Sequence, residues 1–536
     1  MYQSLALKYP SARMVTAGST DIGKPLQLFI ISKSGVFDPV KLRKSGKLVL
    51  LINNAIHPGE CDGVDACLKL SEEMLKNPSK YAAVLDKCVI AIIPVYNIGG
   101  YLNRSAYNRA NQNGPAEEGF RGNARNIDLN RDMVKTDTEN ARSLNRLFHL
   151  WNPDILVDTH VSDGADYTYT MTLIPNLHCK LHPAMEAFLN DEMLPKLYKA
   201  MADAGNEMIP YVEFRGENPE SGLVGFLDLP RYVSGYATLF NTYAFVTETH
   251  MLKPYKARVI ATYQFLQSLF TFAADHAREI KESRQKALDA ALTQSSFVLH
   301  WEMDTTRYDS LTFRGYTARH KPSLVSGLDR MFYDECSPWE KKIRYYNYFN
   351  PVLKVNKPRY YLVPEAWPEV VERLQNNGIR MIRLAHDTSM DVEAYYIISY
   401  KTSPAPFNGR YMHSQVEVRS ENQHLSFYKG DYLVETNQVG NDYIVQVLDP
   451  RGDDSFFAWG FFDSVLSRKE YFSDYIFEDT AEKLLQASPD LKRKLEEKMQ
   501  QDSSMRKSAY RQLNFIYEHS PWAEKTWNRY PVFRIN

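Results

Sequence analysis

The chain reads as an α/β fold over residues 1–290, a mixed sheet covered by helices, followed by a β-rich α+β region with C-terminal helices over 291–536. Three observations predict this. Short apolar or β-branched runs alternate with segments of helical spacing from the start to about residue 285, the pattern of layered strands and helices. The runs carry no polar alternation, as in Val49–Ile52, which suits strands buried on both faces. Beyond the charged helical stretch ending near Ala291, the texture changes to Tyr, Phe and hairpin signals.

The elements follow in order. A helix-like stretch opens the chain at Tyr2–Leu7, and strands are expected at Leu26–Ser32, Leu48–Ile56, Val89–Tyr96, Ile155–Thr159 and Tyr243–Thr247. Apolar residues at helical spacing mark Asp62–Lys76, Asp137–Trp151, Pro183–Ala204 and a long helix from Pro254 to Ala291. In the second part, Pro368 and Gly378 bracket a helix. Tyr432–Thr436 and Tyr443–Val447, flanking Gly440, read as a hairpin. The last sixty residues return to helix, with Leu491–Met499 strongly charged. The aromatic runs Tyr345–Phe349 and Phe456–Phe462 are expected in the core.

At 536 residues the chain exceeds what one core usually serves, so at least two units are expected. A net charge near −1 gives no long-range field, which argues against nucleic acid and anionic membranes as general partners. No run of 18 apolar residues exists, so no transmembrane segment is expected. The start lacks a charged and apolar export signal, which fits a cytoplasmic protein or a periplasmic or secreted one whose signal has been removed. Cys61, Cys67, Cys88, Cys179 and Cys336 are an odd number without C-x-x-C spacing, and read as free thiols.

Chemistry concentrates in the first part. His57-Pro58-Gly59-Glu60 closes the apolar run from Lys47 to Ile56 and offers two metal-ligand types on a turn stiffened by Pro and Gly. His160 ends the short run from Asp154. Two His and one Glu with a position open to water form a catalytic zinc set. Glu248 ends the run from Tyr243, so these groups fall at the C-terminal ends of three strands, where open α/β sheets bind ligands. Singly, each residue has a plain structural reading: His57 and His160 as satisfied core histidines, Asp128 as a turn residue, Arg121, Arg125 and Arg131 as a surface ion-pair patch. His178 and His182 make a rival pair at helical spacing, and His250 is a candidate for pocket lining or for packing. No G-x-S-x-G elbow, phosphate loop or dinucleotide-binding glycine pattern is present.

The ordered set His57 and Glu60, Arg121, Asp128 with Asn130 and Arg131, His160, then Glu248 resembles the zinc carboxypeptidases of the M14 family over roughly residues 20–260. The wording at His57–Glu60 and Asp128–Arg131 is closest to the cytosolic and regulatory branches. The strings Asn111–Pro115, Gly119–Asn123 and Asp163–Tyr167 resemble bacterial M14-like members. The resemblance implies one zinc per chain held by His57, Glu60 and His160, with water in the fourth position. It implies Glu248 as general base on that water and Arg121 as stabiliser of the developing oxyanion, a kind of donor whose loss costs about 3 kcal/mol. Arg131 with Asn130 would grip a free α-carboxylate, and Asp128 would fix the tautomer of His57. The family's substrate-capping tyrosine has two candidates, Tyr232 and Tyr236, both nearer Glu248 than is usual; Tyr232 is favoured. The implied substrate is a peptide or peptide-like molecule with a free carboxylate. A cell-wall peptide, a small-molecule deacylation substrate, and a catalytically inactive peptide- or glycan-binding protein stay open as alternatives.

Overall fold

In the computed structural model, which describes all 536 residues, the first part is built on an eight-stranded sheet. Its strands and the short ones between them are β1 (Ala12–Ser19), β2 (Pro25–Ile31), β3 (Leu48–Asn53), β4 (Cys88–Ile93), β5 (Ile155–Ser162), β6 (Met171–Pro175), β7 (Met208–Pro210), β8 (Glu213–Phe214), β9 (Leu223–Val224) and β10 (Tyr243–His250). The sheet order is β1-β2-β4-β3-β5-β10-β6-β7, while β8 and β9 belong to a separate sheet. The central strands β4, β3, β5 and β10 run parallel. β2 joins β4 and β6 joins β10 antiparallel. The sheet is therefore mixed, as the sequence predicts.

The five expected strands are β2, β3, β4, β5 and β10. β3 stops at Asn53, three residues short of the expected end, because Ala55 turns into the left-handed region at φ 56°. β1, β6 and β7 carry no clear sequence signal: β1 is a half-exposed edge strand and β7 has three residues. The helix Asp62–Lys76 stands at its expected bounds. The single helix expected from Pro254 to Ala291 is instead two, Tyr255–Asp275 and Ala277–Thr293, broken where His276 leaves helical geometry at φ −115°, ψ 26°. The expected Tyr432–Val447 hairpin is also corrected. Tyr432–Glu435 is a strand, but it pairs with Tyr360–Val363, and Asn441–Leu448 is a helix. That helix is buried on nearly every side, so its apolar run marks a core position and its β-branched residues yield to packing. The helix Pro368–Asn376 stops before Gly378, which takes φ 68°. Within the second aromatic run Phe456, Phe457, Trp459 and Phe462 are fully buried.

Successive side chains of β3 and β4 enter opposite layers, as the two-residue period of a strand requires. Leu48, Leu50 and Ile52, with Cys88, Ile90 and Ile92, pack in one cluster of 41 buried residues. Val49 and Leu51, with Val89, Ala91 and Ile93, pack in another of 47. That second cluster also holds Phe297, Tyr361, Val434, Tyr443, Val447 and Phe457. The change of texture near residue 290 falls between the helix ending at Thr293 and the strand Ser296–Met303. The second part of the chain covers one face of the first sheet through this shared cluster. All five cysteines are free thiols. No helix is long and apolar enough to cross a membrane.

Candidate metal centre and active-site cavity

Beyond β3 the chain turns at His57–Glu60, closed by the Glu60 N–H donating to the His57 carbonyl at 2.8 Å. Gly59 is required there, since a Cβ would lie 2.7 Å from Arg109 Cγ and 3.0 Å from the Gly119 carbonyl oxygen. His160 lies within β5 and Glu248 within β10, and the two are register partners on adjacent parallel strands. His57, Glu60 and His160 are all buried, and their ligand atoms converge. His160 Nδ1 lies 3.0 Å from Glu60 Oε2 and 3.2 Å from His57 Nδ1, which is itself 3.2 Å from Glu60 Oε2. Bonds of about 2.0–2.1 Å to a tetrahedral zinc would separate such donors by about 3.3 Å, so the set fits the ion.

The outer nitrogens of both rings are engaged. His57 Nε2 faces Asp128 Oδ1 at 2.9 Å, and His160 Nε2 faces Asp158 Oδ2 at 2.7 Å. With a carboxylate behind each ring, the proton belongs on Nε2 and the Nδ1 lone pairs point at the meeting place. Burial alone would lower the His160 pKa, but the charge and hydrogen bond of Asp158 and the hydrogen bond to Glu60 outweigh it and raise it well above the ordinary value. The pocket thus favours positive charge where the donors meet. Asp158 escaped the sequence reading, although it stands two residues before His160 on the same face of one strand.

Arg109 was also missed. Its Nη1 donates to Glu60 Oε1 at 2.7 Å and its Nη2 to the Val161 carbonyl. Glu60 Oε2 accepts from the Val161 N–H at 3.0 Å. Arg109 sits in a loop whose path nothing in its own sequence fixes. Arg121 donates from Nε to Asp128 Oδ2 at 3.0 Å and approaches Glu60 Oε1 at 3.4 Å. Asp128 caps the short turn Leu129–Arg131 by accepting from the Asn130 N–H. Burial would raise the Asp128 carboxyl, but His57, Arg121 and Arg131 together hold it below the usual range.

A cavity of about 310 Å³ joins these groups. Glu248, Arg121, Asn130, Arg131 and Tyr232 all line it. The Glu248 side chain makes no hydrogen bond within the protein. Burial pushes its pKa up to about 8, with His160 opposing and Glu60 and Asp158 adding to the rise. Asn130 Oδ1 accepts from the Val233 N–H at 3.2 Å, and the Arg131 guanidinium lies 4.6 Å over the Tyr232 ring. Arg131 has no carboxylate partner. Ile174, Phe226, Val233 and Val246 supply an apolar wall.

The remaining candidates lie elsewhere. Tyr236 is buried and bonded to His149 and Asn377. His250 packs edge-on against Tyr167 and bonds the Ala165 carbonyl. His178 pairs with Glu186, and His182 caps the helix Pro183–Phe188. No residue beyond Glu248 lines the cavity. A neighbouring cavity of about 280 Å³ shares Ile174, Tyr211 and Phe226 with it and takes Leu311 and Tyr345 from the second part.

Residues 1–153 match the sequence profile of the zinc carboxypeptidase family, Peptidase M14. The matched span contains His57, Glu60, Arg121 and Arg131, and stops before His160 and Glu248. Carboxypeptidase 2 of Trichophyton tonsurans is 22% identical over 454 residues, covering 81% of this chain and 77% of its own. Carboxypeptidase 2 of Trichophyton rubrum is 22% identical over 460 residues, with the same two shares. Such a share extends past residue 290. Among solved structures, a metallo-carboxypeptidase from Pseudomonas aeruginosa in complex with (2-guanidinoethylmercapto)succinic acid superposes with a TM-score of 0.39 at 14% identity, over 52% of this chain and 68% of that one. Carboxypeptidase A from Helicoverpa armigera gives a TM-score of 0.39 at 14% identity, over 52% of this chain and 72% of the other.

Proposed function

We propose that this chain is a zinc carboxypeptidase of the M14 family, and that it removes single residues from the C-terminal end of peptides. The carrying observation is the Arg131 guanidinium, free of any carboxylate, in the same cavity as the free carboxyl of Glu248. An unpaired, partly buried guanidinium calls for an anion, and its planar fork suits a carboxylate.

One zinc ion per chain would be held by His57, Glu60 and His160. When bound, zinc supplies a Lewis acid that polarises a carbonyl and lowers the pKa of a water towards about 7. Asp128 and Asp158 orient the two rings that would hold it. Glu248 takes the proton of the attacking water and returns it to the leaving amine. Arg121 offers N–H donors to the oxygen that gains charge. Arg131 and Asn130 hold the terminal carboxylate, and Tyr232 stacks beside Arg131 at the cavity wall. The apolar wall formed by Ile174, Phe226, Val233 and Val246 suits an apolar side chain on the residue released.

The test is hydrolysis of an N-blocked dipeptide as its free acid and as its C-terminal amide, with the released residue measured by mass spectrometry. Loss of a charged hydrogen-bonded contact of about 1.5–3 kcal/mol should slow the amide by roughly 10–100-fold. Equal turnover of acid and amide would replace the carboxypeptidase reading with an endopeptidase or deacylase.

A further inference from the structure

The second part of the chain reaches the first by a tight turn between the strands Thr388–Thr402 and His413–Phe427. Phe407 and Arg410 bond each other across it, and Asn408 and Gly409 take φ 50° and 86°. Two successive left-handed residues of the type Asn-Gly form the turn best matched to strand twist. The Asn408 side chain does not serve the turn. Its Oδ1 accepts from the Asp128 N–H at 2.8 Å and its Nδ2 donates to the Asp128 carbonyl at 3.0 Å.

One side-chain amide thus pairs both backbone groups of Asp128, as a neighbouring strand would. From there the contacts spread to the cavity. The Asp128 carboxylate meets His57 Nε2 at 2.9 Å and Arg121 Nε at 3.0 Å, and caps the turn carrying Asn130 and Arg131 at 2.9 Å. The turn is itself anchored on both sides. Arg410 forms a two-pronged pair with Asp137, both bonds at 2.7 Å. Phe407 stacks on Trp459, and Arg231, next to Tyr232, lies over both rings. Gly409 lies close against the first part, where a Cβ would stand 3.0 Å from Ile127 Cδ1.

We propose that Asn408 is a positioning residue of the active site: through Asp128 it sets the aim of His57, Arg121 and the Asn130–Arg131 turn, so that the second part of the chain completes the site without lining it. This rests on the roles given above to those residues. A loosened Asp128 would cost the metal site an orienting carboxylate, whose loss typically weakens metal binding 10–100-fold. It would also let the carboxylate-binding turn drift, and misplacement of about 1 Å can cost up to about 100-fold in turnover.

The experiment uses the full chain with Asn408→Gly, which keeps the left-handed backbone and removes only the amide. Zinc affinity is read by competition with a chelator, KM and kcat on the free-acid dipeptide, and folding by the thermal melt. The expected result is a roughly 10-fold loss of zinc affinity and a KM raised by a similar factor, with the melt within a few degrees of wild type. Tyr411→Ala, exposed in the same turn, should leave all three unchanged. Wild-type zinc affinity and KM in Asn408→Gly, alongside an impaired Arg131→Ala, would overturn the inference and leave the functional reading standing. A wild-type protein that neither binds zinc nor cuts the peptide would bring down the functional reading itself. Should the glycine variant lose its cooperative melt, Asn408→Asp decides. It keeps the acceptor for the Asp128 N–H and loses the donor, so a raised KM with an intact melt supports the proposal and a wild-type KM overturns it.

Discussion

Replacing Asp137 with Asn should cost the whole chain about 3 kcal/mol of stability, because this carboxylate holds cations of both parts together. Asp137 accepts two bonds of 2.7 Å from Arg410 and one of 3.1 Å from Arg373, and Lys135 Nζ stands 3.2 Å away. The Arg373 and Lys135 side chains are 3% and 0% exposed. Burial would raise the Asp137 pKa, but the hydrogen bonds from Arg410 and the charges of Lys135, Arg410 and Arg373 outweigh it and lower it from 3.8 to about 2. At about 1.36 kcal/mol per unit, that depression corresponds to roughly 2–3 kcal/mol. Lys135 would keep Asp132 at 2.6 Å, but Arg373 would lose its carboxylate; breaking a buried pair typically costs about 3–5 kcal/mol, so the two routes meet near 3. The native carboxylate binds fewer protons than the unfolded one between its two pKa values. Its contribution is therefore fully present above about pH 4 and is lost as pH falls through about 2. Urea unfolding followed by tryptophan fluorescence measures both effects. A deficit below about 1 kcal/mol at pH 7, or one that grows on acidification, would refute the reasoning.

Other outcomes follow from the same contacts. Glu248→Gln should keep its zinc and lose several orders of magnitude in kcat, measured by metal analysis and steady-state kinetics, because it removes a base and not a ligand. Arg131→Ala should raise KM for the free-acid peptide and leave turnover of the amide unchanged, which erases the preference between them. Asp158→Asn should weaken zinc binding about 10–100-fold in chelator competition, since it holds the outer nitrogen of His160. Residues 1–290 expressed alone should not give a cooperative melt, because Val49, Leu51, Val89, Ala91 and Ile93 would lose the second part of their cluster.

The groups legible in the sequence are those that local rules place. His57 and Glu60 share a turn fixed by Pro58 and Gly59, and His160 and Glu248 sit on strands that open with the short apolar runs Ile155–Val157 and Tyr243–Val246. Asp158 was within reach of the two-residue strand period. Arg109 was not, because its loop is set by packing against Gly59 and Glu60. Asn408 stands 280 residues from Asp128, and no pattern near either announces the contact. The lack of polar alternation in β3 and β4 tells that both faces are covered without telling what covers them. The helix Asn441–Leu448 read as a strand for a related reason: a run apolar on every side has no period to separate the two.

Zinc content and turnover measured on the same preparations of wild type, His160→Ala and Glu248→Gln test the centre most directly. The expected result is one zinc per chain with peptide hydrolysis in wild type, one zinc without hydrolysis in Glu248→Gln, and neither in His160→Ala. Undiminished zinc and activity in His160→Ala, or peptide hydrolysis at the wild-type rate in Glu248→Gln, would contradict it.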